Sequence, residues 1–480
     1  MRTVIVVGAG MAGLAAALAL GRRGCQVVLC ERDPTPVPSG IEELWTAWPR
    51  PGTPQARLLH IFQPRFCREM RTHAPDILDR ARAAGALPFN HSTRRPGGDS
   101  MPEDGELEGL YCRRPIMEGV LRRAVEAEPG IKVRAGCTVA GLLAKPSGYD
   151  GLPGVVGVRT RDGTEVRADA VVMAGGRTLP LPAWLKAIGA VTAEEVVEDC
   201  GGLYFGRYFR VLPTVEDPTR GMPPQMILDL GYLGVVVSAG DNGSFCVILG
   251  PGAEDRELRV LHKAEAFMVA ARSIPALAPW LAPEKSVPIG RVDALGRLNN
   301  LLRRFIVADR PLALGLFVIG DARCQTDPSI GWGAGLGVSQ AFTLAELLTE
   351  GPADPLAQAL AFEGRVAGEL EGWYRLIVEQ NRAHARVWLG GQDRPPSSPE
   401  EDFEAYVRTV VAPAGAEDPA VFQAVVRRRT LLDAPDALAR NIAVLERAAT
   451  LAAARRPPPV PPAPLGPTRE ELLAMIMRPI

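Results

Sequence analysis

Apolar positions along this chain fall into short β-branched runs and longer stripes of helical spacing. Thr3–Val7 is a β-branched run of the kind that makes a buried strand. An Ala- and Leu-rich stretch then predicts a helix to about Arg23, which Gly24 ends. Gln26–Cys30 is a second apolar strand. Residues 34–56, rich in Pro, Gly and Trp, predict a long loop, and helical spacing follows over 57–84. The polar stretch "HSTRRPGGDSMPEDGE" (91–106) predicts an exposed segment. Arg114 to about Ala127 reads as a helix. "IKVRAGCTVAGLLA" and "VVGVRTRDGTEVRADAVVMAGG" read as strands, with turns at Gly136 and Asp162-Gly163. Residues 202–250 alternate in strand fashion, and Asp241-Asn242-Gly243 has hairpin-turn chemistry. Residues 254–281 look helical. Leu316–Ile319 is a further buried strand. It ends in Gly320-Asp321 and a loop carrying Pro328, Gly331, Gly333 and Gly335, with a helix beginning near Gly337. From 352 onward the pattern is mainly helical. A polyproline-type spacer at 457–467 precedes a short terminal helix with a Thr468/Glu471 capping box. Leu472, Leu473 and Ile476 give that helix an apolar face that predicts docking.

The opening strand and helix enclose Gly8, Gly10 and Gly13 in the spacing G-x-G-x-x-G. Gly8 permits the tight turn, Gly10 lets a pyrophosphate approach the backbone, and Gly13 lets the helix pack closely on the strand. The free N–H groups and dipole of the helix face the phosphates. Glu31 ends the second strand, where a ribose hydroxyl needs an acceptor. Met11 and Ala12, and Arg32 beside Glu31, complete the expected dinucleotide contacts. A carboxylate here repels a 2′-phosphate, which favours FAD or NAD over NADP. A secretory signal would have no use for Glu31, and Gly21-Arg22-Arg23-Gly24 is a poor cleavage site.

The 480 residues suggest two or three domains, and a net charge of −1 gives no electrostatic case for nucleic acid or a membrane surface. The eight cysteines are scattered without a C-x-x-C pair, which predicts small core residues in a reducing cytosol. The five histidines lack metal-ligand spacing, so no metal is expected. No apolar run is long enough to span a bilayer. A cytoplasmic protein is the expectation.

The N-terminal fingerprint, "RRPIMEGVL", "ADAVVMAGGR" and the Gly-Asp with its Pro-Gly-rich loop come in the order found in FAD-dependent monooxygenases of the aromatic-hydroxylase type. The chain resembles that superfamily over roughly residues 1–350. "PGTPQARLLH" and "GGRTLPLPAWLKAIG" resemble its bacterial tailoring branch, which includes polyether epoxidases. The resemblance implies an α/β fold: a Rossmann-type FAD-binding domain (1–90, 107–190 and 311–350), an inserted antiparallel-sheet substrate domain (191–310) and a C-terminal helical region (351–480). It implies that Arg114 reaches the flavin phosphate or ribityl region. Asp321 would bind the ribityl chain, and the loop from Pro328 through Gly331 to Gly333 would pass the pyrimidine end of the ring. It further implies transfer of one oxygen atom from a flavin C4a-hydroperoxide to an organic molecule, by hydroxylation or epoxidation in secondary metabolism. O2 is the co-substrate. The flavin carries the chemistry, and Arg57 and His60 are candidate pocket residues. Tyr204, Phe205, Tyr208 and Phe209 wall a substrate face or pack the core.

One departure matters. Aromatic hydroxylases place an Asp-Gly pair after the strand that here reads Val171-Val172-Met173, whereas this chain has Ala174-Gly175-Gly176-Arg177. No second dinucleotide unit follows. Electrons therefore come from NAD(P)H bound transiently or from a separate flavin reductase as partner. Three alternatives stay open: a reductase of the geranylgeranyl-reductase type, a flavin-dependent halogenase, and a non-catalytic flavin-fold protein. Against the halogenase, "WTAWP" (45–49) has the wrong motif spacing and the first lysine is Lys132.

Overall fold

Side-chain alternation in the first strand sorts the whole architecture. In the computed structural model, which describes residues 1–149, 151–212, 225–388, 395–455 and 464–477, Thr3–Val7 lies at the centre of a parallel sheet. The order is Leu316–Val318, Ala170–Met173, Thr3–Val7, Gln26–Glu31, Ile131–Ala135. Successive side chains of a strand point to opposite faces. Val4 and Val6 accordingly pack with Leu14 and Leu18 of the helix Met11–Arg22, and with the helices Arg114–Ala127 and Gly333–Glu350. Ile5 and Val7 face the other way, onto Val139, Val155, Val158 and Val166 of an antiparallel layer, Val139–Pro146, Pro153–Thr160 and Glu165–Arg167. The parallel sheet is thus covered on both faces, as parallel sheets require.

A larger antiparallel sheet stands beside this body, in the order Gln225–Asp229, Leu233–Ala239, Ser244–Pro251, Leu203–Val211, Ser286–Pro288. One face buries Phe205, Phe209, Val235, Phe245 and Val247 against Phe267 and Ala270 of the helix Ala264–Arg272. The other face presents Tyr204, Tyr208 and Ile248 towards Trp45 and Leu58. The expected hairpin turn closes this sheet, with Asn242 at φ 49°. Its Asp241 has a second task. The carboxylate accepts from the Arg113 backbone N–H at 2.6 Å and from its guanidinium at 2.6 and 2.9 Å, and both side chains are wholly buried. Arg113 precedes the helix Arg114–Ala127, so this pair ties the antiparallel sheet to the parallel-sheet body.

Helical structure beyond 352 is extensive. Pro355–Trp388 runs along Gly333–Glu350, with Trp373 edge-on to Trp332 at 5.0 Å. Pro399–Tyr406 continues through a π-helical turn, Val407–Val411, before Pro419–Arg429 and Ile442–Ala454. The terminal helix Arg469–Ile476 carries its capping box and docks Leu472, Leu473 and Ile476 on the large sheet's helical layer. Residues 457–463 of the proline-rich spacer lie outside the described residues, as do 213–224 of the strand-patterned segment.

Several local expectations are corrected. The helical spacing at 57–84 resolves into Pro64–His73 and Pro75–Ala83, preceded by a strand at Ile61–Phe62. Each proline lacks an N–H and forces the residue before it out of the helical region, so Gln63 and Ala74 are extended or irregular. The loop at 34–56 contains a helical turn, Ile41–Thr46. The polar 91–106 segment is not simply exposed, since Arg95 is buried and paired with Asp104. The helix expected near Gly337 begins at Gly333.

Asp241→Ala should leave the Arg113 charge buried and under-compensated, at a cost of about 3–5 kcal/mol. A clearly lower urea midpoint, with Asp241→Asn falling between variant and parent, is the expected result.

Candidate functional site

A cavity of about 1430 Å³ runs from the glycine turn of the first strand to the inner face of the large sheet. Gly8, Ala9, Gly10, Met11, Ala12, Glu31 and Arg32 line its first end. A Cβ placed on Gly10 would meet no atom within 4 Å, so the cradle beside it is open. Gly13 is different. A Cβ there would lie 1.9 Å from the Gly8 carbonyl oxygen, and Gly13 is not among the lining residues. That close approach is the helix–strand packing the glycine permits. The helix Met11–Arg22 starts at Gly10 without a side-chain cap, leaving its first N–H groups aimed at the cradle. Glu31 accepts from the N–H of Ala9 at 2.7 Å and of Asp33 at 2.8 Å. Those two bonds fix the carboxylate and leave lone pairs for a ribose.

At mid-cavity a second uncapped helix, Gly333–Glu350, begins next to Trp332. Pro328, Gly331 and Gly333 all line the wall, and Gly331 sits at φ 75° to make the turn. Asp321 projects here and accepts no hydrogen bond among the described residues. Burial raises its pKa, and Arg114 and Arg177 pull the other way. A carboxylate so placed is free for ligand hydroxyls. Behind the loop, Asp327 accepts from Ser329 N–H, the Tyr204 hydroxyl at 3.2 Å and Asn381 at 2.7 Å. Asn300 completes this network by accepting from Asp327 N–H and donating to Asn381. Tyr204 lines the cavity, while Phe205 and Phe209 pack the core and Tyr208 packs on Trp45.

Arg114 donates to Glu118 at 2.8 Å and meets His60 Nε2 at 3.3 Å. Glu118 is wholly buried and also takes Arg50 at 2.9 Å. Burial alone would raise the Glu118 pKa, but Arg50 and Arg114 outweigh it and hold it below the usual value. Arg50 in turn donates to the Ala9 carbonyl at 3.0 Å. His60 lines the cavity and binds the Leu58 carbonyl through Nδ1 at 3.0 Å. Burial, and then Arg114, push its pKa down to about 3, so it is neutral at physiological pH. Arg57 does not reach the cavity. It lies 4.6 Å over the Trp45 ring and donates to the Trp48 carbonyl, because the turn that replaces the expected helix directs it sideways.

Sequence reasoning missed Arg50, Glu118, Asp327 and the helical wall. Only Glu118 left a signal, four residues after Arg114 on one helical face. The far end of the cavity is closed by His384, Val407, Arg408, Ala412, Arg429 and Leu438 from the C-terminal helices. Cys30 and Cys137 also line the cavity, and all eight cysteines are unpaired. Among the described residues, no helix is long and apolar enough to cross a membrane.

Residues 3–40 match the family described as FAD dependent oxidoreductase. No curated protein matches the chain. Among solved structures, pqsL from Pseudomonas aeruginosa, a probable FAD-dependent monooxygenase, superposes with a TM-score of 0.54 at 16% identity, covering 82% of this chain and 99% of its own. The tetrameric form of 2-methyl-3-hydroxypyridine-5-carboxylic acid oxygenase gives 0.54 at 16% identity, over 84% and 96%. The flavin-dependent brominase Bmp2 gives 0.56 at 14% identity, over 93% and 99%. The chain has the fold of FAD-dependent monooxygenases, with its Rossmann-type body, inserted antiparallel sheet and C-terminal helices.

Two variants test the cofactor end. Gly10→Val has room to fold but fills the cradle, so circular dichroism should be unchanged while FAD binding is abolished. Asp321→Ala should weaken FAD by about 1.5–3 kcal/mol, on the order of ten- to a hundredfold, as read by fluorescence titration.

Proposed function

We propose that this protein is an FAD-dependent monooxygenase that places one oxygen atom from O2 on a small organic molecule. The observation that carries this reading is one continuous cavity, with a dinucleotide cradle at one end and an apolar sheet face at the other. Its volume of about 1430 Å³ exceeds the roughly 300–1,000 Å³ of a single-ligand pocket. Bound FAD would supply the redox and oxygen-activating chemistry.

The chain's own residues do the rest. The N-terminal N–H groups of the helices Met11–Arg22 and Gly333–Glu350 offer positive dipole ends, the first to a pyrophosphate, the second to charge developing on the flavin ring. Glu31 and Asp321 accept from ribose and ribityl hydroxyls. Arg114 is held by Glu118 and aimed into the cavity. Tyr204, Ile248, Leu295 and Leu298 exclude water from the reaction space. His60, neutral, serves as a hydrogen-bonding group and not as a cation.

Among the described residues no lysine lines the cavity, which speaks against a halogenase that needs one there, despite the likeness to a brominase. A cytoplasmic location accords with eight unpaired cysteines. Electrons reach the flavin from transiently bound NAD(P)H or from a separate flavin reductase. Arg177, which follows the Ala174-Gly175-Gly176 stretch that replaces the family's Asp-Gly pair, lines the cavity and acts on Asp321 electrostatically.

Anaerobic stopped-flow should therefore show slow bleaching of oxidised flavin with NADH or NADPH alone, and rapid bleaching once a flavin reductase is added or substrate is bound. Fast bleaching by nicotinamide alone would point to a self-sufficient hydroxylase. Consumption of O2 by reduced flavin and substrate that yields only hydrogen peroxide, with no oxygen atom from 18O2 in the organic product, would count against the monooxygenase reading itself.

A further inference from the structure

The helical side of the cavity carries a cation that no hydrogen bond or ion pair engages among the described residues. Arg429 ends the helix Pro419–Arg429, and its side chain opens onto the cavity. Its position is fixed from behind: Trp332 Nε1 donates to the Arg429 carbonyl at 2.7 Å, and Trp332 sits between Gly331 and Gly333. Arg429 therefore borders the loop expected to carry the flavin ring. Glu404, which also lines the cavity, is already paired with Arg428, and both are buried. Among the described residues, no hydrogen bond or ion pair engages the Arg429 guanidinium.

The neighbours make the field more positive. Burial lowers the Arg429 pKa, and Arg94 adds to the effect, with no carboxylate opposing them. Arg94 donates to the carbonyl of Gln225, which lines the cavity. His91 is held near a pKa of about 3 by burial, Arg429 and Arg94, so it carries no charge, and its buried Nε2 has no partner. The Arg429 side chain keeps open surface on the cavity wall, and its planar fork of donors is suited to a carboxylate.

We propose that Arg429, backed by Arg94, forms an anion subsite, and that the substrate is an organic acid whose anionic group is held there. The apolar body of the acid lies along Ile227, Val407 and Leu438, with its reactive part towards the Gly331–Gly333 loop. The word substrate rests on the monooxygenase reading; the anion subsite does not.

The test is calorimetric titration of the protein, with and without FAD, using 2-naphthoate and its neutral counterpart 2-naphthamide. The acid should bind at least tenfold more tightly than the amide in both forms. Arg429→Met should erase that difference and Arg429→Lys should keep part of it. Equal binding of acid and amide, binding of neither, or an Arg429→Met variant that still discriminates would overturn the subsite. Should Arg429→Met fail to fold, the acid-to-amide ratio of the parent decides alone. Discrimination that persists in a protein unable to bind FAD would sink the flavin reading and keep the subsite. Normal FAD binding without discrimination would do the reverse.

Discussion

Glu118 is a carboxylate with no exposed surface, held between two guanidiniums, and the cofactor end of the cavity is organised around it. Through Arg50 it reaches the Ala9 carbonyl in the glycine turn, and through Arg114 it reaches His60. Four separate stretches of chain are thereby set against one another: the turn, the loop at Arg50, the helix Arg114–Ala127 and the strand entry at His60. Removing one member of such a cluster strands a charge in a low-dielectric interior, typically at about 3–5 kcal/mol. A uniformly apolar contact would bring the same segments together but would not aim Arg114 at the cavity. The ion cluster sets direction as well as proximity.

The parts of the fold marked by local composition and spacing were legible. The β-branched run Thr3–Val7, and the glycine spacing after it, marked the central strand, the uncapped helix and the position of Glu31. The same reading located Asp321 and the Pro328–Gly333 loop, because strand, Gly-Asp and glycine-rich turn are contiguous in sequence. The failures share a cause. Arg57 was expected on a helix that Pro64 and Pro75 break, so its orientation could not follow from spacing. Arg50 and Asp327 take their meaning from partners far along the chain, such as Glu118 for Arg50 and Asn381 for Asp327. No local pattern encodes a contact of that kind.

The C-terminal helices belong to the site. Asn381 supports Asp327 beneath the glycine loop, Arg429 receives the Trp332 hydrogen bond, and Val407 and Leu438 close the wall. The π-helical turn at Val407–Val411 rotates Val407 and Arg408 to the cavity side, a use of an irregular turn that recurs at functional sites. The terminal helix then latches back onto the large sheet, where Arg469 pairs with Asp255 and Glu257. Helices that read as an appendage in sequence thus supply the far wall of the cavity and part of its charge.

The cysteines carry a last consequence. Cys30, on the cavity wall, has its thiol pushed up to about 12, first by burial and then by Cys137, and Cys67 and Cys324 are raised to about 12 largely by burial. Peroxide attacks the thiolate and not the thiol. On the cavity wall the Cys30 sulfur is therefore almost never ionised and is a poor target for peroxide that enters the cavity. The burial that shapes the cavity wall thus also keeps its thiol protonated.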